Sequence, residues 1–214
     1  MNLKLYMHPL SSYCHKALIA FYENDIPFEA MRVDDAKVGA EFKSMWPVGR
    51  FPVLRDERRE AMVPESSIII EYLALHHPGK VKLIPDDPDV ARKVRMRDRF
   101  FDNYLHAPMQ KFVFDRLRPE DKRDPYGVDE ARTMYRTALD MVETAMTGST
   151  WAMGGDFTMA DCAAAPPLFY GNRFFGSFRS SHKNVAAYLD RLMARPSYAR
   201  VLKEAEPYFH MLPA

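Results

Sequence analysis

Two short segments hold the residues best suited to gripping a peptide. In Gly49-Arg50-Phe51-Pro52-Val53-Leu54 a proline stands at the start of a short apolar run, where it removes a donor that a strand would use. An X-Pro bond at such a place is a candidate cis peptide in a tight bend. That bend would turn the N–H and carbonyl of Phe51 outward, free to pair with an extended ligand as an added strand pairs with a sheet edge. Eleven residues after Leu54, Glu65-Ser66-Ser67 precedes the helical spacing Ile68, Ile69, Tyr72, Leu73. A helix N-terminus carrying a carboxylate and two hydroxyls can hold an amino-acid end group: its N–H dipoles take the carboxylate, and Glu65 takes the ammonium. A third cluster, Ser11-Ser12-Tyr13-Cys14, opens another helix, which either serine can cap. Cys14 reads as a helix residue that packs. The cluster has the spacing of a C-x-x-C pair whose attacking cysteine is replaced by Ser11, which disfavours dithiol exchange.

The elements that must position these groups follow from the pattern around them. Leu3, Leu5 and Met7 alternate up to His8-Pro9, a strand that ends at a turn. A helix follows to about Asn24 with Ala17, Leu18 and Phe21 on one face, stopped by Asp25-Ile26-Pro27. Residues 28–33 form a second strand, and a strand–helix–strand unit this short favours a parallel pair. A polar, loosely helical stretch covers 40–45. Residues 51–55 and 60–63 flank Asp56-Glu57-Arg58-Arg59 as a hairpin, and the helix from Glu65 ends by His77-Pro78-Gly79. Prolines, glycine and aspartates then crowd 78–88, the best domain boundary in the chain. Beyond it every periodic segment is helical. A helix over 89–118 is expected to kink or end at Pro108. Ala131, Tyr135, Ala138, Leu139 and Val142 keep one face through a second, and Thr158 to Asp161 is a capping box with Phe157 as its staple. The expected organisation is a first domain over 1–80, a linker over 81–88 and an all-helical domain over 89–214.

Bulk numbers remove several function classes. The chain has 214 residues, 47% hydrophobic and 28% charged, ordinary values for a globular protein. A net charge of +1 argues against nucleic acid or an anionic membrane as the main partner. Arg92, Lys93, Arg95, Arg97 and Arg99 read as a solvated helix face. No apolar stretch approaches the ~20 residues needed to span a bilayer. A strand-like run begins almost at once, so no signal peptide is expected, and with two cysteines the chain reads as cytoplasmic. The seven histidines show no ligand spacing with acidic or cysteine partners, so no metal site is expected.

A βαβ–ββα unit with a cis-proline, linked to an all-helical domain, resembles a cytosolic glutathione S-transferase of bacterial, serine-type character, zeta-, theta- or beta-like. Five patterns in this order carry the resemblance: Leu5-Tyr6 with Ser11-Ser12; Gly49 to Leu54; Glu65-Ser66-Ser67-Ile68; Tyr72-Leu73; and Phe157 to Asp161. It implies a thioredoxin-like first domain that binds glutathione as co-substrate. Phe51 would pair with the cysteinyl part beside cis-Pro52, Glu65 and Ser66 would hold the γ-glutamyl end, and Arg50 would lie near the peptide. Ser11 falls where serine-type members place the hydroxyl that donates to the sulfur; Ser12 and Cys14 beside it stay in play, and Tyr6 ranks lower. Trp46 stands where many relatives carry asparagine. Tyr104, Phe112 and Arg173 would line the pocket for an apolar electrophile. The resemblance further implies a detoxifying transferase and a two-fold homodimer in which the helix after Glu65 meets the partner's kinked second-domain helix. Other readings are a non-catalytic, transferase-like scaffold, or a glutathione-dependent reductase, peroxidase or isomerase.

Overall fold

The computed structural model describes residues 2–213. Its first part is a four-stranded sheet of order β2-β1-β3-β4, built from β1 (Leu3–Met7), β2 (Glu29–Arg32), β3 (Val53–Asp56) and β4 (Ala61–Pro64). β1 runs parallel to β2 and antiparallel to β3, with Leu5 opposite Leu54, and β4 closes the hairpin with Val63 opposite Leu54. The period-two alternation of β1 divides the sheet's two faces. Leu3, Leu5 and Met7 join the main core with α1 (Ser12–Glu23) and α3 (Ser66–His76), whereas Tyr6 joins Phe42 of α2 (Ala36–Met45) and Val53 on the other face. The expected βαβ–ββα order is therefore the observed one. α2 starts earlier than the apolar pattern suggested, because Asp35 caps it by accepting from the N–H groups of Lys37 and Val38, each at 3.0 Å. Trp46, which ends α2, packs against the Tyr6–Phe42–Val53 cluster.

The second part is helical: α4 (Pro88–Phe101), α5 (Ala107–Arg116), α6 (Pro125–Ala145), α7 (Met159–Phe174), α8 (Lys183–Ala194) and α9 (Pro196–Ala205). Asp87 caps α4 through the Val90 N–H at 2.8 Å, with Pro88 in the first turn, where its missing N–H is harmless. The helix is not ended by Pro108. A π-helical turn over Asp102–His106 joins α4 to α5, with the Ala107 N–H donated to the Asp102 carbonyl five residues back. This wide turn absorbs the hydrogen-bond mismatch that a proline in the next turn creates. The Thr158 capping box forms as expected: the Asp161 carboxylate accepts the Thr158 N–H at 2.8 Å, and Thr158 Oγ accepts the Ala160 N–H. Asp161 is fully buried and also accepts from Tyr188 Oη at 2.6 Å and the Ala152 N–H at 2.7 Å. One hydrophobic core runs without interruption from the sheet through α1 into α7 and α9. Among the described residues, no helix is long and apolar enough to cross a membrane.

Candidate functional site

β1 delivers the chain to a turn over residues 8–11 in which the Ser11 N–H is donated to the His8 carbonyl at 3.0 Å and Pro9 takes the second place. Both domains hold this turn. His15 Nε2 meets the Pro9 carbonyl at 2.6 Å, and Tyr170 of α7 donates its phenol to the Leu10 carbonyl at 3.0 Å. Burial pushes the His15 imidazole down to about 4, so it stays neutral at physiological pH. Ser11 then caps α1, its Oγ accepting the Cys14 N–H at 3.3 Å. The hydroxyl proton faces the Cys14 sulfur, a weak acceptor, so a partly exposed Ser11 can turn to donate to a stronger one. Ser12 points elsewhere: it is buried, with Oγ 2.6 Å from His106 Nε2 and accepting from Gln110 Nε2 at 2.9 Å. Cys14 is fully buried, and burial pushes its thiol up to about 12, which leaves no thiolate at neutral pH. Tyr6 is also buried and donates to Glu41. Of the hydroxyls and thiol considered for chemistry, Ser11 is the one with access.

The Phe51-Pro52 peptide is cis. No backbone group among the described residues pairs with the N–H or carbonyl of Phe51, whose side chain lies against His8 and Phe42 with ring centroids 6.4 Å away in each case. Arg50 is exposed and sets its guanidinium 5.6 Å from the Phe114 ring of α5, spanning from the first domain to the second. Glu65 precedes α3 with φ 72° and ψ 120°, a backbone state that a side-chain-bearing residue adopts only at a cost of about 1–3 kcal/mol. Its side chain makes no cap bond and is exposed, while Ser66 begins the helix buried. Tyr13 ties these parts together. Burial pushes its phenol upward; Asp102 and Glu65 add to that shift, and Arg99 and Arg50 oppose it. The Tyr13 ring stacks on His106 at 3.7 Å.

Beneath this surface lies a buried charge cluster that joins the starts of α1 and α3 to the end of α4. Lys16 of α1 is fully buried, with Nζ 2.7 Å from Asp98 Oδ1, 2.7 Å from Asp102 Oδ2 and donating to Ser67 Oγ at 2.7 Å. Ser67 donates to Asp98 at 2.8 Å, and Arg99 Nη2 reaches Asp102 at 2.5 Å from the half-exposed edge. Burial, the largest single influence, would raise the Asp102 carboxyl; Lys16 and His106 together outweigh it and hold the group well below the usual carboxylate range. Burial lowers the His106 imidazole, and its Nδ1 sits 3.7 Å from Asp102 Oδ1, beyond hydrogen-bond length. Ser67 stood out only as part of the α3 start, and Lys16, Asp98, Asp102 and His106 did not stand out as a cluster. The one available signal was the spacing of Asp98, Asp102 and His106 at four-residue steps, which puts them on one helix face.

The three residues expected around an electrophile do not share one neighbourhood. Phe112 is buried, its ring 4.8 Å from Phe175 and 6.0 Å from Phe174. Tyr104 is half-exposed on an open apolar groove of about 830 Å³ lined by Phe100, Met134 and Met141 between α4 and α6. Arg173 is exposed, its guanidinium 5.9 Å from the Phe209 ring near the C-terminus. Among the described residues, no group of three or more histidines, cysteines and carboxylates could hold a metal ion.

Comparison with known proteins covers most of the chain. The family model for the glutathione S-transferase N-terminal domain matches residues 5–81, and that for the C-terminal domain matches 105–196. A glutathione S-transferase from Methylobacterium radiotolerans, solved in complex with glutathione sulfonate, is 30% identical with a TM-score of 0.79 over 94% of each chain. Glutathione S-transferase GstB of Escherichia coli is 25% identical over 192 residues, 87% of this chain and 91% of its own. FtsZ-localized protein A of Caulobacter vibrioides is 26% identical over 218 residues, 95% of this chain and 92% of its own.

Proposed function

The chain is a member of the glutathione S-transferase family, and from that premise we propose that it binds glutathione in its first domain and presents the thiolate to an apolar electrophile at the domain cleft. The observation that carries the reading is the partly exposed Ser11 hydroxyl, a donor at the N-terminus of α1 with no internal acceptor stronger than the Cys14 thiol. A thiolate rather than a thiol is the nucleophile, and a hydroxyl donor plus the positive end of a helix favours the anion. Each unit of thiol pKa depression corresponds to ~1.4 kcal/mol, so moving a thiol from about 8.5 to about 6.5 needs ~3 kcal/mol. One charge-assisted hydrogen bond with help from the dipole supplies that much. The free backbone of Phe51 takes the cysteinyl main chain as an added strand would, Arg50 lies beside the peptide, and Glu65 with Ser66 takes the γ-glutamyl end. The strained backbone of Glu65 fits this role, since it holds a carboxylate at the mouth of α3 where no internal partner needs it.

Titration calorimetry with glutathione tests the binding half. The native protein is expected to bind, and Glu65→Ala to bind on the order of 10- to 100-fold more weakly, the loss of a charged hydrogen bond. No heat at millimolar glutathione with the native protein would overturn the reading. A conjugation assay with an apolar aryl halide tests the chemistry.

The proposal extends to a homodimer. Ile68 and Leu75 project from the same face of α3, Met62 from β4 and Met96 from α4, all exposed, and the Tyr104 groove continues the apolar surface to Met134 and Met141 of α6. α3 and α4 are held side by side here by Arg95 and Glu71 at 2.9 Å. Apolar side chains spread over neighbouring helices are what a stable two-fold interface of ~1,600 Å² uses. Sedimentation at micromolar concentration is expected to give twice the chain mass, and Ile68→Glu with Met134→Glu to give the monomer; a native monomer contradicts it. The reading extends to a cytoplasmic setting, which two buried and unpaired cysteines support.

A further inference from the structure

His8 is the last residue before the turn that carries Ser11, and its imidazole is fixed by that turn. Nδ1 accepts the Leu10 N–H at 3.2 Å while the His8 carbonyl accepts the Ser11 N–H. An Nδ1 that accepts cannot carry a proton, so the neutral ring bears its hydrogen on Nε2. Protonating the ring would set two N–H groups against each other, and burial also lowers the imidazole's affinity for a proton. Nε2 meets no hydrogen-bond partner among the described residues, and it is not closed off from solvent. The charged neighbours do not compete for it. Arg32 at the end of β2 and Asp34 in the connection to α2 are bonded to each other at 3.1 Å. On its other side the ring lies 6.4 Å from that of Phe51. A half-buried donor of settled tautomer thus stands between the free Phe51 backbone and the Ser11 hydroxyl with nothing to donate to.

We propose that His8 is a binding residue of the glutathione site, donating its Nε2–H to the bound tripeptide between Ser11 and Phe51. This rests on the glutathione reading above and assigns that site a donor on the β1 side, opposite Glu65. The imidazole serves two purposes at once: Nδ1 shapes the turn, and Nε2 addresses the ligand.

Two variants separate those purposes. In His8→Asn the amide oxygen can still accept the Leu10 N–H, but nothing reaches the Nε2 position. In His8→Gln an amide nitrogen reaches about as far as Nε2, and the turn bond is lost. Calorimetry with glutathione is expected to show roughly 10-fold weaker binding for His8→Asn and less than about 3-fold for His8→Gln. Nitrogen NMR of histidine-labelled native protein is expected to show the His8 Nε2 signal moving along the same saturation curve as the heat. Native-like affinity in His8→Asn, or a His8 Nε2 signal unmoved at saturating glutathione, would overturn the assignment and leave the glutathione reading standing. A native protein that takes up no glutathione at all would overturn both.

Discussion

Replacing Ser11 by alanine is expected to lower the conjugation rate at saturating glutathione and pH 7 by about 10²-fold while changing glutathione affinity only a few-fold. The reason is a proton count. If the bound thiol returns from about 6.5 to about 8.5, the thiolate fraction at pH 7 falls roughly 25-fold, and the rest of the loss comes from a sulfur no longer held in line. The thiolate absorbance of the bound tripeptide should therefore titrate about 2 units higher in the variant, and the pH–rate curve should move with it, the defect shrinking as the pH rises. The helix also loses its cap, a stability loss of about 1 kcal/mol. Ser11→Thr keeps both the hydroxyl and the cap and should retain most activity. Ser12→Ala is the informative contrast: its hydroxyl faces His106 and Gln110, so it should alter stability and leave the bound-thiol titration in place. An unchanged rate and titration in Ser11→Ala would remove Ser11 from the mechanism.

Lys16→Met should be the most damaging single change to stability, because it leaves two carboxylates buried without their shared cation. Asp98 is 1% exposed and Asp102 6%, and Arg99 alone meets them from the surface. Removing one partner from a buried ion pair costs about 3–5 kcal/mol, which for a chain of this size lowers the melting temperature by roughly 6–20 °C. The pH dependence should change sign as well. In the native protein the Asp102 carboxyl is depressed, so its contribution is fully present above the ordinary carboxyl range near 4 and is lost as acid protonates it. Without Lys16 only Arg99 and His106 oppose burial and the carboxyl rises; the variant should then lose stability as the pH climbs from about 4 to 7. Thermal melts across that range check both points, and Lys16→Met with Asp102→Asn should recover part of the loss. A deficit below about 1 kcal/mol with an unchanged pH slope would show that the cluster is held by its surroundings instead.

What could be read in advance follows the range of the interaction. The bend at Pro52, the start of α3 and the Thr158–Asp161 box are local, as is the backbone bond that closes the turn after β1: each is set by residues within three or four places, and short spacings show in a sequence. The charge cluster is not local. Lys16 meets Asp102 across 86 positions and Ser12 meets His106 across 94, and no short window contains either pair. The five basic residues between Arg92 and Arg99 form a largely solvated face, and Asp98, set among them in sequence, lies on the buried side of the same helix. The separation of Tyr104 from Phe112 has a geometric cause, while Arg173 belongs to α7 and lies outside the continuous helix of α4 and α5. The π-helical turn over Asp102–His106 inserts extra winding, so faces counted at 3.6 residues per turn from α4 no longer carry over to α5.

The uninterrupted core bears on how such a protein can be rearranged. The stretch 78–88 looks like a seam at which one half could be exchanged for that of a relative. Yet α1 belongs to both halves: it is sealed by α7 and α9, its Lys16 is neutralised by Asp98 and Asp102, and its Glu23 grips Arg195 at 2.6 Å. A transplanted second half would have to bring two acids, an imidazole and an arginine to the same places, or leave a lysine stranded in the interior. Recombination at the visible joint is thus constrained by partners far from it.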